Sequence, residues 1–138
     1  MEQHEQGPSG GITAHLTIRD NRAGDAIDFY SRAFGAEEIG RHLADDGKRI
    51  MHAHLRINGG SLMLNDDFPE FGNGAAAAPA GVTLHLQVPD ADAAWQKALD
   101  AGAEVRFPLD DQFWGDRYGQ VIDPFGFIWS IGAPIARS

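Results

Sequence analysis

Two histidines stand at matching places in the chain. Residues 13–20 read TAHLTIRD and residues 83–90 read TLHLQVPD, so His15 and His85 share the pattern T-x-H-L-x-[IV]-x-D. His52 and His54 follow two residues apart in IMHAHLRI. Imidazole changes charge near neutral pH, both donates and accepts hydrogen bonds, and ligates metals. Three roles fit histidines set this way: hydrogen bonding with one another, with threonine and with water; recognition of a ligand's polar or aromatic groups; or a metal site. A second group lies in FWGDRYGQVIDPFG, residues 113–126. Trp114 and Tyr118 suit the wall of a site for a flat or aromatic ligand, with Phe113 beneath. Arg117 can pair with an acid such as Asp123 or reach a ligand anion. Gly115 and Gly119 allow positive φ or close backbone approach, and Asp-Pro-Phe-Gly at 123–126 has the residue order of a tight turn. His4, in the N-terminal stretch, and His42, on an exposed-looking strand, enter none of these groups.

Size and composition limit what these residues can serve. A chain of 138 residues is one domain, or two small halves sharing a core, and is long enough to fold without cross-links. With no cysteine it has neither disulfides nor thiolate metal sites. The net charge of −9 argues against nucleic acid, whose phosphates need clustered Lys and Arg, and suits a cationic ligand. No apolar run reaches the length of a membrane span. MEQHEQGPSGG lacks the basic and apolar regions of a signal peptide, so residues 1–11 are expected to be a flexible tail. The expectation is a cytoplasmic protein with no membrane and no nucleic-acid partner.

The elements that position these residues come in two copies. Both histidine segments alternate apolar and polar residues, as a half-buried strand does. Each ends in an acid, Asp20 or Asp90, suited to cap a following helix. In AGDAIDFYSRAFG the helical face is Ala26, Ile27, Tyr30, Ala33 and Phe34, stopped by Gly35. In DADAAWQKALDAG it is Ala91, Ala94, Trp95, Ala98 and Leu99, stopped by Gly102. Three strands follow each helix, near 38–44, 49–58 and 61–65, and again near 104–109, 117–122 and 127–132. The breaker-rich stretch 71–81 joins the copies. One helix cannot cover both faces of such a sheet, so the other face is left as an open cup. On the third strand, Met51, Ala53, Leu55 and Ile57 should face the helix, which sends Ile50, His52, His54 and Arg56 to the cup. Thr17, Gln87 and Asn65 join them by alternation. Phe125, Phe127 and Trp129 feed the core.

The paired modules, the H-L-x-[IV]-x-D strands, AIDFYSRAFGAEE and the closing DPFGFIWSI together resemble the vicinal oxygen chelate superfamily of glyoxalases, bleomycin resistance proteins and extradiol dioxygenases. KRIMHAHLRINGGSLMLNDD and DQFWGDRYGQVIDPFG are similar to its PhnB-like branch of small, dimer-forming proteins. The resemblance spans residues 12–133 and implies an α+β domain. It would have two βαβββ modules, about 12–68 and 81–133, forming a curved mixed sheet cup with helices on its outer face.

Enzymes of the superfamily hold a divalent metal through the first and fourth strands of each module. By the resemblance those positions fall at Thr13, Met63, Thr83 and Ser130. Hydroxyls and a thioether do not suit Zn, Ni or Fe(II), which favour imidazole and carboxylate, so no cofactor is expected. His15 and His85 lie two residues beyond the threonines on the same face, and the superfamily arrangement implies that they are neighbours. The expected function is binding or sequestering a small molecule, an antibiotic or a metabolite, in a homodimer. The alternatives are a metal-dependent lyase or dioxygenase built on the offset histidines, and a protein whose cup holds nothing of consequence.

Overall fold

The computed structural model describes residues 7–71 and 77–135; His4 and residues 72–76 of the joining stretch lie outside it. The chain divides into two compact units, one of Met1–Ser31 with Gly35–Ala77, the other of Arg32–Phe34 with Ala78–Ser138. Both units follow one plan. The first runs β1 (Ala14–Ile18), α1 (Ala23–Phe34), β2 (Glu37–Leu43), β3 (Ile50–Ile57) and β4 (Gly60–Asp66). The second runs β5 (Thr83–Gln87), α2 (Ala91–Ala101), β6 (Glu104–Asp111), β7 (Asp116–Ile122) and β8 (Ile128–Pro134). The sheet orders are β1-β4-β3-β2 and β5-β8-β7-β6. In each sheet the first and fourth strands pair in parallel and the other neighbours pair antiparallel. These are the two mixed sheets and two helices of the expected fold class.

Alternation sets the faces. Leu16 and Ile18 of β1 are buried while His15 and Thr17 are exposed; on β5, Leu86 is buried while His85 and Gln87 are exposed. Helix α1 buries Ala23, Ala26, Ile27, Phe29, Tyr30 and Ala33, and α2 buries Ala91 and Ala98. Both helices stop at a glycine with positive φ, 70° at Gly35 and 120° at Gly102, which a side chain would strain.

Two expectations need correction. Asp90 caps α2, accepting from the Ala93 amide at 3.1 Å, but Asp20 has no such role at α1, whose N-cap is Arg22 without a side-chain bond. The buried Asp66 at the end of β4 does that work. It accepts from the Ala23 amide at 2.9 Å and from the Ile50 amide at 2.7 Å, tying the helix start to β3. On β3 itself, Ile50 is buried and Met51 is 53% exposed, the reverse of simple alternation. The pairing of β2 and β3 slips between His42 and Leu43, so Met51 is an extra residue there and period two breaks.

Candidate ligand-binding site

The strand registers lay the singled-out residues in rows. In the second unit Gln120, Ser130 and His85 stand side by side on β7, β8 and β5. The next row is Tyr118, Gly132 and Gln87. In the first unit the matching row is His54, Met63 and His15 on β3, β4 and β1. The sequence repeat therefore has a structural counterpart: each repeated histidine faces the fourth-strand position of its own sheet.

In the second unit His85 is held at both ring nitrogens. Its Nδ1 lies 2.7 Å from Ser130 Oγ and its Nε2 lies 2.8 Å from Gln87 Oε1. An amide oxygen only accepts, so Nε2 carries a proton, and in the neutral ring Nδ1 accepts the Ser130 hydroxyl. The ring stacks on Tyr118 at 5.9 Å between centroids and 14° between planes. Trp114 meets Tyr118 edge-on at 5.6 Å, and Phe107 does so at 6.4 Å. Trp114 and Phe107 stay 50% and 43% exposed. Phe113 is almost wholly exposed, its ring 5.1 Å from that of Trp114, and does not lie beneath the wall.

Two glycines shape this surface. Gly115 has φ 101°, the positive value its turn requires. Gly119 supplies close approach instead: a β-carbon there would lie 2.7 Å from Trp95 Cζ3 and 2.8 Å from the Leu109 backbone.

Two charges of the segment, Arg117 and Asp123, are structural. Arg117 donates to Asp92 at 3.1 Å and to Asp111 at 3.0 Å, and the Asp92 bond, then that of Asp111, raises its pKa. The expected pairing of Arg117 with Asp123 is not made. Asp123 is buried and accepts from the Phe125 and Phe127 amides and from Trp129 Nε1, each at 2.9 Å. Distance along β7 separates the two roles, one at each end of the strand.

In the first unit His52 lies between two other imidazoles, 6.2 Å from His15 and 6.1 Å from His42 by ring centroids. His42 had no place in the sequence reading. It sits opposite His52 across the β2–β3 pairing, a relation fixed by the slipped register rather than by any local motif. His54 is wholly buried, with Nε2 2.9 Å from Ser61 Oγ, so it belongs to the packing. Thr17 Oγ1 donates to Asn65 at 3.3 Å. Thr13 stands one residue before β1, and Thr83 opens β5 opposite Ile128. Recesses of about 220 Å³ beside α1 and about 410 Å³ beside α2 include none of these histidines.

The family model of the Glyoxalase/Bleomycin resistance protein/Dioxygenase superfamily matches residues 12–131. The chain belongs to that superfamily. An uncharacterized protein of Mycobacterium tuberculosis is 51% identical over 129 residues, covering 90% of this chain and 74% of that one. The crystal structure of TioX from Micromonospora is 26% identical with a TM-score of 0.70, covering 91% of this chain and 100% of that one. A fosfomycin resistance protein from Listeria monocytogenes, complexed with Mn(II) and sulfate, shares the fold at 16% identity and TM-score 0.67, covering 91% of this chain and 92% of that one.

Membership in the glyoxalase superfamily raises the question of its divalent metal, and the donor set does not fit one. The fourth-strand positions offer the Met63 thioether and the buried Ser130 hydroxyl, facing His15 and His85. His85 has both nitrogens engaged by neighbours. Among the described residues no three His, Asp or Glu side chains are grouped to hold a metal ion. Thioether and hydroxyl are poor partners for the borderline divalent ions that imidazole and carboxylate bind. No helix among the described residues is long and apolar enough to cross a membrane.

Proposed function

We propose that this glyoxalase-superfamily protein binds or sequesters a small molecule, an antibiotic or a metabolite, without a metal. The observation that carries the reading is the aromatic wall of His85, Tyr118 and Trp114, half open to solvent beside a polar floor of Ser130, Gln87 and Gln120. Parallel and edge-on rings with exposed faces suit a flat ligand, and the polar groups orient it. His15, His52 and Met63 form the corresponding surface of the first unit, with the buried His54 in the same row, and Thr13 and Thr83 extend the two surfaces. Asp116 lies two residues from Trp114 in the chain, and with the net charge of −9 it favours a cationic group on the ligand.

The protein acts in the cytoplasm as a homodimer in this reading. Support for the dimer comes from β6, an edge strand that keeps Val105 50% and Phe107 43% exposed, and from the fully exposed Phe113. Light scattering at micromolar concentration should give twice the chain mass.

The test is a thermal-shift panel of cationic aromatic antibiotics in chelator-treated buffer, repeated with Trp114→Ala and Tyr118→Ala. A hit that raises Tm, weakens as salt rises and disappears in both variants supports the reading. A hit that needs added Zn, Ni, Fe(II) or Mn supports instead a lyase or dioxygenase built on the histidines.

A further inference from the structure

Tyr118 does more than stack. Gln120 Nε2 donates to its phenol oxygen at 2.9 Å, and Arg106 Nη1 donates to Gln120 Oε1. The direction of this chain is fixed by chemistry. A guanidinium only donates, so the Gln120 oxygen must face Arg106 and its amide NH₂ must face Tyr118. The phenol oxygen is thus an acceptor within the protein, and its own proton is left to be donated. Among the described residues no acceptor for that proton is present. The ring that carries this hydroxyl meets the rings of His85, Trp114 and Phe107.

We infer that Tyr118 is the specificity-determining donor of the site, aimed by Arg106 through Gln120, and that the ligand is a planar aromatic compound with a carbonyl oxygen. The inference rests on the small-molecule reading above and adds the chemical class. The ring system lies along the aromatic wall and the carbonyl oxygen accepts from the Tyr118 hydroxyl. A charge at the far end of a hydrogen-bond chain polarises each member in turn, so Arg106 strengthens the donor without touching the ligand. Arg106 and Gln120 are positioning residues.

The experiment uses two probes of similar size on the full chain, coumarin with a ring carbonyl and naphthalene without one, titrated by NMR up to their solubility. Tyr118→Phe keeps the stacking ring and removes the hydroxyl. It should weaken coumarin about tenfold, one hydrogen bond's worth, and leave naphthalene within about twofold. Arg106→Met frees Gln120 to turn and accept the phenol proton, so coumarin should weaken by about threefold or more while naphthalene does not. In the Tyr118→Phe background the Arg106 change should have no further effect, a non-additivity that a purely structural role would not produce. Equal losses for both probes, or additive losses in the double variant, would overturn the inference. If cationic aromatics bind in a Trp114-dependent way but Tyr118→Phe leaves coumarin unchanged, the inference fails and the binding reading stands. If nothing planar binds the wild-type chain, both fail.

Discussion

Gly132 carries no side chain where His85 needs room. A β-carbon built at Gly132 would lie 2.9 Å from His85 Cε1, closer than such atoms approach. The glycine sits in the row between Tyr118 and Gln87, and the gap lets the imidazole lean across the sheet to stack on one and bond the other. Glycine inside a strand often marks such a close approach. Gly132→Ala should push the ring off Ser130 and Gln87, giving up two hydrogen bonds worth about 0.5–1.5 kcal/mol each. Nitrogen chemical shifts of the His85 ring should change and ligand affinity should fall at least about tenfold. Unchanged ring shifts would show that the gap is not needed.

Gly119 is the second close approach, and its neighbours include backbone, which cannot yield as a side-chain tip can. Gly119→Ala should therefore cost about 1–3 kcal/mol by overpacking. Gly24 in α1 is a control, since nothing lies within 4 Å of a β-carbon there. Gly24→Ala should stabilise by about 0.5–1 kcal/mol through helix propensity. Urea unfolding of both variants checks the contrast, and equal effects would contradict it.

Asp123 ties the last hairpin together. Asp123→Ala leaves two amides and the Trp129 indole N–H without their acceptor in a buried place and should cost about 3–5 kcal/mol. Asp123→Asn keeps the oxygen that serves both amides and should cost clearly less. If alanine costs no more than asparagine in urea unfolding, the carboxylate is not the organiser of the turn.

The β2–β3 turn gives a pH prediction. Arg49 bonds Asp46 at 2.8 Å and Glu70 at 2.7 Å. The Arg49 side chain, with the Lys48 and Arg49 amides, lowers the Asp46 carboxyl to about 2. Because that value lies below the ordinary one, near 3.9, the turn's contribution is fully present above about pH 4 and is lost as pH falls through the lowered value. Carboxyl-carbon NMR titration should show Asp46 inflecting near pH 2, and moving up toward the ordinary value in Arg49→Gln. No change on removing Arg49 would contradict the assigned cause.

Periodicity made the fold legible. Repeated alternation, helical spacing and stopping glycines placed every strand and both helices within a few residues. What it could not carry was register. A single extra residue at Met51 exchanged the faces of Ile50 and Met51 and set His42 against His52, although no local signal marks His42. Asp66 caps α1 from a strand far along the chain, so the nearer Asp20 misled. In the proposed site the histidines and aromatics were legible, because these types stand out. Gln120, Arg106 and Gly132 were not, since their roles depend on which strands lie side by side.

The most direct test of metal-free recognition is elemental analysis of tag-free protein, followed by titration with Zn, Ni, Fe(II) and Mn. Far less than one metal per chain is expected as purified, with no saturable binding at micromolar concentration and ligand binding unchanged by chelator. One metal per chain, lost in His15→Ala or His85→Ala, would contradict it.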